Sequence, residues 1–348
     1  MNQKIKISDK VIGQNRPCFI IAEAGVNHNG KLSLAKKMVD VALWAGADAI
    51  KFQTFRAEAL VTKDAPKADY QAKESPGTQF EMLKLLELSR SDFQVLFDHC
   101  KKRGIIFLST PFDSGSAKLL FDLGVDAFKI GSGDLSNLPL IKQVALYGRP
   151  IFLSTGMGTL DDVKKAASVV RDAGNEELIL LHCTTNYPTK YEDVNLRAMQ
   201  TLKNEFSIEV GFSDHTVDDL SAITSIGLGA VVIEKHFTLD NKLPGPDHKA
   251  SVQPRQLKDL IRKIRRAEKI LGDGEKKPRK SEFDVSKIVK KSLFAARDIP
   301  EETVLTAEMI DIKRPEVGLV PENFDKIIGH KIKNHLKAGD PIFARDIK

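Results

Sequence analysis

A closed (β/α)8 barrel followed by a small β-rich domain is the fold this sequence predicts, and three observations carry the prediction. Eight short apolar runs recur between residues 19 and 272. An amphipathic segment follows each run, ending in glycine. The rhythm then stops at a polar, charged stretch, beyond which only short strand-like runs remain.

The runs are Phe19–Ile21, Ala49–Phe52, Ile105–Leu108, Ala127–Ile130, Ile151–Leu153, Leu178–Leu181, Ile208–Gly211 and Val231–Ile233. They lack alternating polar positions, so they read as parallel strands buried on both faces. Eight strand–helix units favour closure into a barrel over an open, doubly wound sheet.

Between the runs, apolar residues return at helical spacing. Leu34, Met38, Val41, Ala42 and Ala45 precede Gly46. Phe93, Leu96, Phe97 and Cys100 precede Gly104, and Val163, Ala166, Ala167 and Val170 precede Gly174. Glycine after the last turn supplies a left-handed cap.

The stretch from Asp273 to Glu282 is charged and contains Pro278, and it reads as linker. The expected division is a barrel over 1–275, a linker over 276–288 and a terminal domain over 289–348. Ser292–Ala295 and Ile310–Lys313 are its expected strands, and Lys337-Ala-Gly-Asp-Pro an expected turn. About 60 residues are too few for a rich core, so docking on a partner surface is expected.

Composition excludes several classes. With 42% hydrophobic residues the chain is neither disordered nor collagen-like. No apolar run reaches the ~18–20 residues that span a membrane, and the opening MNQKIKISDK has no apolar signal core. Cys18, Cys100 and Cys183 are far apart and lack CxxC spacing, so reduced buried thiols in a cytoplasmic protein are expected. Residues 262–291 hold twelve Lys/Arg against five Asp/Glu, a local +7 in a chain of net +6. The basic character is therefore one stretch and not a nucleic-acid footprint spread over a face.

A barrel enzyme works at the C-terminal ends of its strands. Every run here is followed by polar residues there. They include Glu23, Lys51, Gln53, Thr110, Lys129, Ser132, Asp134, Ser154, Thr185, Tyr187, Ser213, His215, Glu234 and His236. Buried charge is costly, so a barrel kept for stability alone would not carry it. Lys51, Lys129, Ser132, Ser154 and Ser213 together suit a small anion bearing phosphate and carboxylate. The bland alternative is that the lysines pair with Glu23 or Glu234. His215 and His236, on adjacent strand ends, suit a divalent transition metal, or else one catalytic and one structural histidine. Asp247, in the rigid Pro-Gly-Pro-Asp-His loop, adds a carboxylate over the site. Gly25 to Lys31 imitates half of a phosphate-binding loop, but Leu32 stands where Ser or Thr must reach magnesium.

These motifs resemble the sialic acid synthase family across nearly the whole chain. The resemblance is carried by Ile-Ala-Glu-Ala-Gly-Val-Asn-His-Asn-Gly (21–30), Lys-Phe-Gln-Thr-Phe (51–55), Leu-Ser-Thr-Pro-Phe (108–112) and Lys-Ile-Gly-Ser-Gly-Asp (129–134). Leu-Ser-Thr-Gly-Met (153–157), Leu-His-Cys-Thr-Thr (181–185) and Tyr-Pro-Thr (187–189) continue it. Gly-Phe-Ser-Asp-His-Thr (211–216), Glu-Lys-His-Phe-Thr (234–238) and Gly-Pro-Asp-His (245–248) complete it. The tail resembles the antifreeze-like (SAF) domain.

The resemblance implies condensation of phosphoenolpyruvate with an N-acylated hexosamine, giving a nine-carbon 2-keto acid and phosphate. It implies a metal on His215 and His236, manganese first, with magnesium or cobalt as alternatives. It puts phosphoenolpyruvate on Lys51, Lys129, Ser132, Ser154 and Ser213, and the sugar on Gln53, Asp134, Tyr187 and Asp247. Glu23 is the candidate for orienting a water or moving its proton. Arg314 is implied to reach the barrel of a partner in a domain-swapped homodimer. Thr185 where others carry Asn, Asp134 in place of a glutamate, and the stretches 62–71 and 272–277 point to a legionaminate-type member, which uses a 2,4-diacetamido-6-deoxy sugar. Another phosphoenolpyruvate-dependent 3-deoxy-2-keto sugar acid synthase is the enzyme alternative. A non-catalytic barrel with a carbohydrate-binding tail leaves the strand-end lysines and histidines unexplained.

Overall fold

The computed structural model of the chain describes residues 4–67 and 77–348. It divides into two compact units, Met1–Gly272 and Asp273–Lys348.

The first unit is the expected barrel. Strands β3 (Phe19–Gly25), β4 (Ala49–Thr54), β5 (Ile106–Pro111), β6 (Phe128–Ile130), β7 (Ile151–Ser154), β8 (Leu178–His182), β9 (Val210–Asp214) and β10 (Val232–His236) form one parallel sheet. Its order is β5-β4-β3-β10-β9-β8-β7-β6, and the end strands β5 and β6 lie side by side, which nearly closes the barrel. The expected runs caught every strand. Several strands extend further at their C-terminal ends, into polar residues that an apolar pattern does not register.

Period-two alternation sorts each strand. On β4, Ile50 and Phe52 face the outer core beneath the helices, while Ala49 joins an inner cluster with Phe19, Ile21, Leu108 and Phe152. Continuing inward past Ala49 leads to Lys51, and past Ile21 to Glu23. The barrel is thus apolar at its lower end and charged at its upper end.

A hairpin that the strand–helix rhythm did not anticipate precedes the barrel. Strands β1 (Ile5–Ile7) and β2 (Lys10–Ile12) pair antiparallel with Ile5 opposite Ile12. Ile5, Ile7 and Ile12 join the inner cluster and complete its apolar end.

The helices α1 (Leu32–Ala45), α2 (Ala57–Leu60), α3 (Gln79–Leu86) and α4 (Arg90–Arg103) follow the first strands. Gly46 (φ 94°) and Gly104 (φ 77°) cap α1 and α4 in the left-handed region, as expected. The units continue with α5 (Ser114–Leu123), α6 (Leu138–Ala145), α7 (Leu160–Asp172), α8 (Ala198–Phe206), α9 (Leu220–Gly227) and α10 (Pro254–Leu271). At α7 the capping position is Ala173, with Gly174 (φ 78°) one residue later.

The second unit has its own small core of Leu293, Ala295, Ile299, Leu305, Ile310, Ile327, Ile332, Leu336 and Ile342. Its strands β11 (Ser292–Ala295) and β12 (Ile310–Lys313) fall where expected and pair antiparallel. The stretch read as linker is structured in part, since a short helix, α11 (Phe283–Val289), lies at its end. The three cysteines are free and buried. Among the described residues no helix is long and apolar enough to cross a membrane.

Candidate active site

Strand register sets the floor of the site. Glu23 pairs across the sheet with His236 on one side and Lys51 on the other. Ser213 pairs with Glu234. A cavity of about 550 Å³ opens above these residues, within the size range of small-molecule sites. It is lined by Glu23, Lys51, Gln53, Lys129, Ser132, Asp134, Ser154, Tyr187, Ser213, His215, His236 and Asp247. These are all the barrel positions to which the resemblance gives a role, and Thr110, Thr185 and Glu234 line the same cavity. Arg314 belongs to the second unit, where it is exposed directly after β12. Glu316, two positions further on, pairs with Lys290 at 3.5 Å.

Two buried lysines dominate the floor. Lys51 Nζ lies 2.8 Å from Glu23 Oε2, 3.7 Å from Glu234 Oε2 and 3.1 Å from Thr110 Oγ1. Burial disfavours its charge, but the two carboxylates outweigh burial and raise its pKa. Burial raises Glu23 above the ordinary carboxylate range, against the pull of Lys51. Glu234 moves the other way, because Lys129 and Lys51 outweigh its own burial. Lys129 Nζ donates to Ser154 Oγ at 2.6 Å and to the Ile130 carbonyl at 3.0 Å. Burial lowers its pKa. Ser132 Oγ accepts from the Gly156 amide at 3.1 Å and lies 3.1 Å from Cys183 Sγ. A Cβ on Gly156 would collide with Thr185 and Ser132, so only glycine lets this backbone approach.

The paired imidazoles are neutral. Burial lowers His215 to about 4 and His236 well below its ordinary value. His215 Nδ1 donates to the Thr184 carbonyl at 2.7 Å, since a carbonyl can only accept. Its Nε2 lone pair therefore faces Tyr187 Oη and Ser213 Oγ, each at 3.2 Å. His236 Nδ1 is buried without a hydrogen-bond partner, 4.0 Å from Asp247 Oδ2. Two neutral imidazoles, one fixed by a carbonyl and one with an orphaned nitrogen, fit a divalent metal. Among the described residues no set of three or more His, Cys, Asp or Glu is arranged around one ion. Further ligands would therefore be oxygens of water or substrate.

The false phosphate-loop motif has a different task. Asn27 Nδ2 donates to the Phe237 carbonyl at 2.8 Å and to Ser251 Oγ at 2.9 Å. Ser251 in turn donates to the Asp247 carbonyl at 2.6 Å. His248 Nε2 donates to Asn29 Oδ1 at 3.1 Å. Asn27 and Asn29 thus tie down the loop that presents Asp247, whose carboxyl burial pushes up to about 6.

Sequence reasoning missed one side of the cavity entirely. Val26, Phe55, Leu60, Val61, Met82, Leu83, Leu86 and Phe112 line it as a separate apolar cluster. Phe55 two positions after Gln53 was the available signal. Of the stretch 62–71, residues 68–71 lie outside the described residues.

The lysines pair as the plainer sequence reading allowed, Lys51 with Glu23, yet both face an open cavity at the C-terminal ends of the strands, where barrel enzymes carry their sites. The molecule is accordingly an enzyme of the (β/α)8 class. Comparison with known proteins narrows this. The sequence matches the NeuB family model over residues 38–276 and the SAF domain over 290–348. It is 45% identical over 353 residues to the N,N'-diacetyllegionaminic acid synthase of Legionella pneumophila, covering 100% of this chain and 99% of that one. It is 36% identical to the N-acetylneuraminate-9-phosphate synthase of Homo sapiens, over 95% of this chain and 93% of that one. The crystal structure of the N-acetylneuraminic acid (sialic acid) synthetase of Leptospira borgpetersenii superposes with a TM-score of 0.73 at 36% identity. It covers 82% of this chain and 95% of that one. The chain belongs to the NeuB family and is an enzyme of the sialic acid synthase type.

Proposed function

We propose that the chain condenses phosphoenolpyruvate with 2,4-diacetamido-2,4,6-trideoxymannose, in preference to N-acetylmannosamine, giving N,N'-diacetyllegionaminate and phosphate. The observation that carries this reading is the placement of two buried lysines and three serines in one cavity opposite two neutral imidazoles. The 45% identity to a legionaminic acid synthase supports the choice of sugar.

Lys51 and Lys129 hold the anionic groups of phosphoenolpyruvate, with the hydroxyls of Ser132, Ser154 and Ser213 donating to its oxygens. Gln53, Asp134, Tyr187 and Asp247 orient the open-chain sugar. A divalent metal on His215 and His236, manganese in the first instance, would polarise the sugar aldehyde as a Lewis acid. The methylene carbon of phosphoenolpyruvate bonds to the aldehyde carbon while the C=O π pair passes to the aldehyde oxygen, which takes up a proton to become a hydroxyl, leaving positive charge at C2. Water adds at C2 and loses a proton, for which the raised carboxyl of Glu23 is the acceptor. The C2–O bond to phosphate then breaks, leaving the ketone.

Arg314 completes the sugar site from the partner subunit of a domain-swapped homodimer. Its guanidinium is exposed and can fork onto an N-acyl oxygen. Three free buried thiols suit a reducing, cytoplasmic setting. The test is phosphate release from phosphoenolpyruvate with the diacetamido sugar, N-acetylmannosamine and arabinose 5-phosphate in parallel. Release with arabinose 5-phosphate alone would assign the chain to the 3-deoxy-2-keto sugar acid synthases of other type.

A further inference from the structure

The cavity has two unlike sides. The barrel side holds every charged residue among its described lining, and its only lysine or arginine side chains are Lys51 and Lys129. Both are buried within the barrel, against Glu23 and Ser154 respectively. The opposite side is built from Phe55, Leu60, Val61, Met82 and Leu83, with Val26 at its edge and Gln79 on the same helix as Met82 and Leu83.

This wall is a constructed element. Its residues form their own cluster around Ala57, separate from both barrel cores. Helices α2 and α3 are tied at their ends, since Glu87 accepts from the Ala57 amide at 2.7 Å and from Arg56 at 3.0 Å. Lys84 also reaches Glu58 at 2.6 Å. The wall adjoins the proposed sugar contacts through the chain itself. Phe55 follows Gln53, and Val26 follows Gly25. A Cβ built on Gly25 would lie 3.4 Å from Asp247 Oδ2 and 3.5 Å from Gln53 Nε2, so both polar groups lie close to Gly25, next to Val26 in the chain.

We infer that this apolar wall receives the C6 end of the sugar and selects a deoxy, methyl-bearing terminus over a hydroxylated or phosphorylated one. The inference rests on the proposed function and names what reads the sugar. A phosphate placed there would lose its water and meet no lysine or arginine among the described residues of the wall. A hydroxyl would lose hydrogen bonds to water, with only the Gln79 amide among the described wall residues to replace them. A methyl group gains burial. Because an apolar pocket rejects a mere added hydroxyl only modestly, the deoxy preference should be about 10–100-fold, and the bar to phosphate steeper.

The experiment uses the full-length enzyme and three sugars that differ only at C6: 6-deoxy-N-acetylmannosamine, N-acetylmannosamine and N-acetylmannosamine 6-phosphate. Wild-type kcat/KM should fall in that order. Leu60→Asn and Val61→Thr, both half-buried, should cut the deoxy-over-hydroxyl ratio at least about fivefold, with the KM for phosphoenolpyruvate unchanged. Turnover with no C6 preference in the wild type, or a ratio untouched by both substitutions, would overturn the inference while leaving the proposed function standing. No turnover with any of the three, nor with the diacetamido sugar, would overturn both.

Discussion

The Lys51 ammonium lies 2.8 Å from the Glu23 carboxylate, and both side chains are buried. The pair explains how a barrel floor tolerates an ammonium group before an anion arrives. It makes Glu23 an anchor for Lys51, a task separable from the proton transfer proposed for it.

Substitution separates them. Lys51→Met or Lys129→Met removes a charge-assisted contact worth about 1.5–3 kcal/mol, so the KM for phosphoenolpyruvate should rise roughly 10–150-fold. Glu23→Gln should leave that KM within a few fold and lower kcat by about 10²–10⁴, the usual worth of a positioned base. Steady-state kinetics with varied phosphoenolpyruvate reads both. A Glu23→Gln enzyme with unchanged kcat and a raised KM would reduce Glu23 to an anchor.

His215 and His236 predict metal dependence. Chelation should abolish turnover and Mn²⁺ should restore it. Calorimetric titration of the metal-free protein should show Mn²⁺ binding that His236→Asn removes without lowering the thermal midpoint of the metal-free protein by more than a few degrees. Full turnover by metal-free protein would refute the assignment.

Much of this was legible in the chain. Eight apolar runs sufficed for the barrel because strands buried on both faces are apolar apart from the few charged residues of the site. Inward-facing Lys51 and Lys129 were legible because each interrupts such a run with a charge, and Glu234 because it directly follows one. The hairpin at Ile5–Ile12 was not, because it stands outside the strand–helix repeat, although its isoleucines alternate as a strand should. The apolar wall escaped because Leu60, Val61 and Met82 look like ordinary helix-packing residues. Only their position beside Gln53 turns them toward a cavity. The role of Asn27 was hidden for another reason. Its partners, Phe237 and Ser251, are more than 200 residues away in the chain.

Buried neutral histidines set a pH dependence. Burial holds His28 at about 4 in the folded chain, against about 6.5 when unfolded. Between those values the unfolded chain binds a proton that the folded chain does not. The stabilisation is therefore complete above about pH 7 and is lost as pH falls toward 4, by about 3 kcal/mol for this residue. His182 and His248 act in the same direction, and Asp247, raised to about 6, acts against them. Urea midpoints of the metal-free protein at about pH 7.5, 6 and 5 should fall with pH, and His28→Asn should flatten the fall. An identical slope in the variant would remove His28 from the account.

Sharing of the site between subunits has its own test. His236→Ala disables the barrel site and Arg314→Ala the tail. Unfolded and refolded together, the two inactive variants should regain part of the wild-type activity, because a mixed dimer unites one intact barrel with one intact tail. No recovery in proven mixed dimers would place Arg314 outside the partner's site.

The most direct measurement of the central claim follows both products at once. Enzyme, phosphoenolpyruvate labelled with ¹⁸O at the bridging oxygen, and 2,4-diacetamido-2,4,6-trideoxymannose are mixed, and phosphate and sugar acid are read by mass spectrometry. The account predicts a nine-carbon 2-keto acid and phosphate in equal amounts, with the label in the phosphate, because water adds at C2 and the C2–O bond breaks. Phosphate released without the sugar acid, or label retained in the keto acid, would contradict it.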